Sequence, residues 1–233
     1  MAILFKNNFE FIIHNSHRDQ YGNMILLDIS ITDQRLTFVN IYGPNDDCPD
    51  FYDRLKESIL KQGNDGIIIV GDWNLLLDPP TDGLNYKHIN NPNARNAVLN
   101  LMTDLKLFDV WREENGDKHM YTWKRKLGGN KIQMGRLDFF LVSETLLNFC
   151  SDENILPSYR SDHLPVTLSL SFHKIPKRKT YWKFNNSLLS NKVFLTEIKD
   201  VISHIKKQYA ATPYNQNNID LIENSVFETI INP

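Results

Sequence analysis

The sequence reads as an α+β protein: a two-sheet β-sandwich flanked by helices, incomplete at its N-terminus and followed by a helical extension. Three observations carry this. Apolar and β-branched runs of strand length recur at residues 2–5, 9–13, 23–31, 35–42, 66–70, 121–124, 136–142 and 164–172. Two amphipathic helical patterns interrupt them without the strict alternation of a doubly wound sheet. After Phe172 the texture changes to His-Lys-Ile-Pro-Lys-Arg-Lys, a proline-containing basic stretch that reads as a linker.

Each element has a local reason. In the run 23–31, Met24, Leu26, Asp28 and Ser30 share one face and Ile25, Leu27, Ile29 and Ile31 the other, which predicts a sheet with one face more deeply buried than its opposite. The first helix opens with acidic residues at 50, carries Phe51, Leu55 and Ile59 at spacings of four, and ends near Gly63. The second, over 93–107, aligns Ala97, Leu101 and Leu105 along one stripe. The expected organisation is a main domain over 1–172, a basic linker over 173–180, and a segment over 181–233 with helices near 192–209 and 219–231. The run 2–5 reads as a buried strand with no preceding turn or cap, as though the sequence were cut into there.

Composition narrows the class. With 233 residues, 41% hydrophobic and 23% charged, the chain suits one large domain plus a small appendage. Its net charge of -2 gives no global signature of nucleic-acid binding, so any phosphate contact must come from local basic groups. Cys48 and Cys150 lie far apart, which excludes a disulfide framework or a Cys-x-x-Cys zinc site and fits a reducing compartment, nuclear or cytoplasmic. The first apolar run, cut short by Lys6, Asn7 and Asn8, is too short for a signal-peptide core or a membrane span.

Four motifs carry chemistry. A buried run 67–70 delivers Gly71-Asp72-Trp73-Asn74, where a carboxylate and an amide two residues apart project to one side and suit one phosphate; the same tetrad also suits a plain β-turn. Ser161-Asp162-His163 sets a hard oxygen ligand beside an imidazole at a strand entrance, although alone it reads as a strand cap with a surface histidine. Asp138 is a charge inside an apolar strand, so it needs a partner such as His163. Arg136, two residues away on the same face, offers a surface pair as the bland alternative. Tyr42 ends a strand before Gly43-Pro44-Asn45 and places a phenol for a phosphate oxygen or for packing. Tyr121-Thr122-Trp123 adds a weaker candidate for backbone or base contact.

In this order, Tyr-x-Pro-Asn, Gly-Asp-x-Asn, Arg-x-Asp and Ser-Asp-His resemble the endonuclease/exonuclease/phosphatase superfamily, whose fold is DNase-I-like. The resemblance implies a two-sheet sandwich with its site at one end and hydrolysis of a phosphodiester dependent on Mg²⁺, or alternatively Mn²⁺. It implies that Asp72 orients or activates the attacking water or assists the leaving group, that Asn74 and Tyr42 hold the scissile phosphate, that His163 contacts it with Asp138 behind, and that Asp162 binds the metal. Thr122 and Arg136 join Tyr42 and Asn74 as expected substrate contacts. The opening Ala-Ile-Leu-Phe, the Asn-Ile-Tyr-Gly-Pro-Asn version of the tyrosine motif and Tyr-Trp-Lys-Phe-Asn-Asn-Ser-Leu-Leu from residue 181 are similar to LINE-type retrotransposon polyproteins. DNA is then the expected partner, with the remainder of the polyprotein, including a reverse transcriptase, outside this sequence.

The resemblance also implies two earlier strands, one bearing an Asn and one a metal-ligand Glu, for which this sequence has no residues; Glu10 follows the first strand and does not take that role. The expected activity is therefore DNA nicking in impaired form. The competing expectation is a catalytically inactive module that keeps phosphate contacts through Asn74, Tyr42 and the Lys177-Arg178-Lys179 patch.

Overall fold

A computed structural model describes residues 1–158 and 160–172, together with Thr196, Lys199, Asp200, Ser203, His204 and Lys207. The chain divides into two compact units, Met1–Lys179 and Thr180–Pro233. The six isolated positions are helical and fall within the expected stretch 192–209. The expected linker 173–180, the Tyr181 motif and the helix near 219–231 lie outside the described residues.

In chain order, β1 (Ile12–Arg18), β2 (Met24–Ile31) and β3 (Gln34–Tyr42) precede α1 (Pro49–Leu60) and β4 (Gly66–Asp72). Then come α2 (Pro79–Asp82), β5 (Gly83–Leu84), α3 (Pro92–Asp104), β6 (Leu107–Asp109) and α4 (Val110–Asn115). Finally β7 (Trp123–Lys126), β8 (Ile132–Gly135) and β9 (Asp138–Ser143) lead through α5 (Glu144–Leu147) to β10 (Cys150–Ile155) and β11 (Val166–Leu170). One sheet has the order β1-β2-β3-β4-β9-β6; β5-β8-β7 and β10-β11 form two smaller sheets. The described strands thus form three sheets where the sequence predicts two, one broad and two narrow.

Strand alternation divides the core in two. Met24 and Leu26, Val39 and Ile41, Ile67 and Ile69, and Phe139 and Leu141 turn one face of the large sheet toward α1 and α3. The intervening Leu27 and Ile29, Leu36, Ile68 and Val142 turn the other face toward Val110, Leu146 and the partly buried Leu168 and Leu170 of β11. Pro49 occupies the first turn of α1, and Phe51, Leu55 and Ile59 bury the stripe that their spacing predicts. Each such side chain contributes roughly 1.5–3 kcal/mol on full burial.

The structure refines the expectations for the β2 faces and for the N-terminal run. The two β2 faces differ only modestly in burial: Met24, Leu26 and Asp28 are buried on one, Leu27 and Ile29 on the other, and Asp28 accepts from Arg35 and from Asn64. Residues 2–5 form no strand: the chain first pairs at β1, and this start is held by the Asn40 amide donating to the Ala2 carbonyl (3.1 Å), by Ile3 and Phe5 packing on the core, and by Phe5 stacking on Phe11. Strand propensity without a partner ladder leaves an extended segment.

Candidate active site

Register assembles the centre of the site. Tyr42 pairs with Asp72 across the parallel β3–β4 ladder, and Asp72 pairs with Asp138 across the antiparallel β4–β9 ladder. Residues paired in register share a face, so a phenol and two carboxylates stand in a row at one end of the sheet, on the side away from α1 and α3. The loop between β10 and β11 brings His163 to this row. Its Nδ1 lies 2.8 Å from Asp138 Oδ2, and its Nε2 lies 3.9 Å from Asp72 Oδ2.

The turn after β4 is built around Trp73. Fully buried, the indole stacks on Phe139 with centroids 4.9 Å apart and on Tyr52 at 6.1 Å, and its Nε1 donates to the Phe139 carbonyl. The chain ducks beneath β3 at Gly71, where φ is +149° and an added Cβ would lie 1.9 Å from the Ile41 carbonyl oxygen. Burying Trp73 on the core side turns Asp72 and Asn74 outward. Asn74 adopts a left-handed conformation (φ 52°); its N–H donates to Asp72 Oδ1 and its Nδ2 to the Gly43 carbonyl. The turn geometry and the functional placement therefore coexist: one oxygen of Asp72 holds the turn while the other faces His163.

Electrostatics follow from this crowding. Burial, and then the neighbouring Asp138 carboxylate, push the Asp72 carboxyl up to about 6. The hydrogen bond to Asp138 raises His163 above the ordinary imidazole range. Asp72, Asp138 and His163 each offer one ligand atom within 4.8 Å of the others, a set able to hold a metal ion.

A cleft of about 390 Å³ opens beside the row, lined by Tyr42, Asp72, Asn74, Trp123, Leu137 and His163 together with Asn45, Tyr86, Asn90, Asn91, Arg125 and Gln133. Asp162 stands apart from the three-residue cluster, exposed, with its Oδ2 accepting from the Trp123 indole at 3.1 Å. Its charge still reaches Asp72 and His163.

The structure contradicts direct substrate contact at two positions. Arg136 is fully buried and lies just before β9, pairing with Asp82 (Nε to Oδ1, 2.8 Å) and Asp109 and packing over the Trp111 and Phe139 rings. It neutralises two interior carboxylates and forms no surface pair with Asp138. Thr122 is also fully buried: its Oγ1 accepts from the N–H groups of Leu137 (2.9 Å) and Asp138 (3.0 Å), while its carbonyl accepts from Leu164 N–H. It ties the Asp138 strand to the His163 loop without meeting a ligand.

Tyr86, Asn90, Asn91, Arg125 and Gln133 lie outside the four motifs. The available signals were weak: Asn90-Asn91-Pro92 marks a helix start, and Lys124-Arg125-Lys126 marks a local positive run. The β7–β8 hairpin carries Lys124, Arg125, Lys126 and Lys131, all exposed, next to the cleft.

No family model matches the chain. It is 26% identical over 203 residues, 86% of this chain and 15% of the relative, to the Transposon TX1 uncharacterized 149 kDa protein of Xenopus laevis. It is 30% identical over 176 residues, 65% of this chain and 33% of the relative, to DNA-(apurinic or apyrimidinic site) endonuclease 2 of Schizosaccharomyces pombe. The chain thus spans at most a third of the length of these curated relatives. Among solved structures it resembles the endonuclease domain of TRAS1, a telomere-specific non-LTR retrotransposon, with a TM-score of 0.56, 18% identity and 73% of each chain covered. An AP endonuclease from Archaeoglobus fulgidus gives 0.55 at 19% identity, covering 68% of this chain and 71% of that one.

The fold is the DNase-I-like fold of these nuclease structures, and the sequence relatives are a transposon protein and an AP endonuclease.

Proposed function

We propose that the chain hydrolyses phosphodiester bonds in DNA, nicking one strand at a target site with the help of a divalent cation. The observation that carries this reading is the Tyr42, Asp72, Asp138 row closed by His163. Asp72 presents a carboxylate, ionised above about pH 6, to orient and deprotonate a water or to assist the leaving oxygen. The Asp138 bond to Nδ1 fixes the His163 ring and leaves Nε2 turned toward the cleft for a phosphate oxygen. Tyr42 and Asn74, on the cleft wall, hold the phosphate in line.

The donor set fits Mg²⁺ or Mn²⁺, which favour carboxylate oxygen. Asp72 and Asp138 would hold the ion with Asp162 near them, and its charge would relieve the repulsion that raises Asp72. When bound it supplies Lewis-acid stabilisation of charge on the phosphate. The basic hairpin supports DNA as the substrate, since it sets Arg125 on the cleft wall and carries three further exposed lysines in a chain of net charge -2.

Incubation of supercoiled plasmid with the purified chain, with and without Mg²⁺, tests the proposal beside Asp72→Ala and His163→Ala variants. Metal-dependent nicking lost in both variants is the expected result. A folded chain that binds duplex without nicking it would instead establish the non-catalytic reading, which the hairpin alone sustains.

A further inference from the structure

The N-terminus of α3 is capped in an unusual way. Its own N-cap, Asn91, has a left-handed backbone (φ 48°) and makes no side-chain capping bond. The Asn91 amide is engaged elsewhere, donating to the carbonyls of Asn74 (2.9 Å) and Asn45 (3.2 Å). A helix start exposes N–H groups that need acceptors, and Pro92 removes one. Asn93 and Ala94 remain, and both are met by Asp47 from the loop between β3 and α1. One Asp47 oxygen accepts from Ala94 N–H at 2.7 Å; the other accepts from Asn93 N–H at 3.2 Å and from Asn93 Nδ2 at 2.8 Å. A carboxylate is also the group that the positive end of a helix favours.

This exchange of duties joins two walls. Tyr42 and Asn45 lie on the strand end and loop that carry Asp47; Asn90 and Asn91 lie just before α3; all four line the cleft, and Asp47 does not. We infer that Asp47 is a positioning residue that sets the width of the cleft by clamping the β3–α1 loop to the N-terminus of α3. Resting on the phosphodiesterase reading, the role extends to substrate: clamp strength governs how tightly the DNA strand seats. The reacting groups are independent of it, since Asp72, Asp138 and His163 stand on β4, β9 and the β10–β11 loop and none bonds to Asp47.

The test pairs Asp47→Ala and Asp47→Asn with Met102→Ala, which truncates a partly buried side chain packed on the core near the far end of α3, and reads nicking kinetics and amide exchange on the full chain. In Asp47→Ala, exchange at Ala94 quickens and KM rises, each by roughly tenfold, the ordinary worth of a helix cap, while kcat stays within about twofold. Asp47→Asn, which keeps one acceptor, recovers part of both changes. Met102→Ala loses stability but leaves KM alone. An unchanged KM in Asp47→Ala, or an equal rise in Met102→Ala, overturns the role. If the parent chain neither nicks nor binds duplex DNA, the phosphodiesterase reading fails instead. Amide exchange at Ala94 then decides the clamp by itself: lost protection upholds it, and unchanged protection refutes it.

Discussion

Asp138 faces Asp72 directly across the antiparallel β4–β9 ladder, at the last matched position before both strands leave the sheet. Two carboxylates on one face at that spacing repel, and partial burial of Asp72 adds to the cost. The folded chain therefore binds the Asp72 proton more tightly than the unfolded chain does. A raised carboxyl contributes stability that is complete below the ordinary carboxylate range and lost as pH rises through about 6. Replacing Asp72 by Asn removes that loss while keeping an acceptor for the Asn74 N–H. In chelator at pH 7, urea denaturation is expected to show Asp72→Asn more stable by about 1–3 kcal/mol, with the difference gone near pH 3. The same variant loses nicking by about 10²–10⁴-fold. A variant less stable than the parent at pH 7 would show that Asp72 is not strained in this way.

The Asp138 to His163 bond makes a second prediction with the opposite ionic sense. The hydrogen bond raises the imidazole, so its stabilising contribution is full below the ordinary histidine range and fades as pH rises through the raised value. In Asp138→Asn the His163 ring is expected to titrate at lower pH than in the parent, read from its ring-proton chemical shift. The gap in stability between parent and variant should close as the solution becomes alkaline. An unmoved titration would place Asp138 too far from the ring to orient it.

Strand alternation made much of this site legible. Even-numbered positions in 66–70 and 136–142 share a face with Asp72 and Asp138, and a carboxylate inside an apolar strand demanded a partner, which His163 supplies. The register that aligns Tyr42, Asp72 and Asp138 was not legible, because ladder offsets depend on neighbouring strands. Local sequence offers Arg136 only an expected substrate contact or, as the alternative, a surface pair with Asp138 two residues away. Its actual partners, Asp82 and Asp109, lie 54 and 27 residues earlier and meet it only once α2 and β6 are packed. Thr122 was misplaced for a similar reason, since a hydroxyl that serves two backbone N–H groups leaves no trace in local pattern. Residues 2–5 have strand composition but no ladder, and composition alone does not supply one.

Arg136 illustrates the cost of an interior charge. It holds Asp82 and Asp109 in a site closed to water, with Arg112 adding a second cation at Asp82. Arg136→Met removes the shared counter-charge and is expected to destabilise the chain by about 3–5 kcal/mol in urea denaturation. Adding Asp82→Asn and Asp109→Asn to that variant should restore part of the loss, because the uncompensated charges go with it. No recovery in the triple variant would show that packing on Trp111 and Phe139, and not charge, dominates.

Glu153 gives the alkaline counterpart. On β10, it is nearly fully buried and one of its oxygens has no partner. Burial, followed by the Asp109 carboxylate, pushes its carboxyl up to about 8, with Glu114 adding to the repulsion and Arg136 opposing it. Its contribution to stability is complete below the ordinary glutamate range and lost as pH rises through about 8. Glu153→Gln keeps the size of the side chain without the ionisation. Thermal melts of parent and variant should be nearly matched near pH 4.5 and separate by roughly 2–4 kcal/mol in favour of the variant at pH 9. Melts that stay parallel across this range would mean that water or a rearranged Arg112 already compensates the charge.

The hairpin prediction concerns affinity alone. Lys124, Lys126 and Lys131 project from β7–β8 and its turn, exposed beside the cleft, while Arg125 lines the cleft with its Nε donating to Gln133 Oε1 at 2.6 Å. A cation that meets phosphate releases a condensed counterion, so each contact steepens the fall of affinity with salt by about 0.9 in a log–log plot on duplex DNA. Converting Lys124 and Lys126 to Gln, with Arg125 left in place, should flatten that slope by about 2 if both touch phosphate. Binding should weaken by similar factors on unrelated sequences, because phosphate contacts position the protein without reading bases. Single-turnover nicking of duplex already bound should be nearly unchanged, since neither lysine bonds to Asp72, Asp138 or His163. A slope that does not move would take the hairpin out of the duplex interface and leave the cleft-lining Arg125 as the cation that meets the strand.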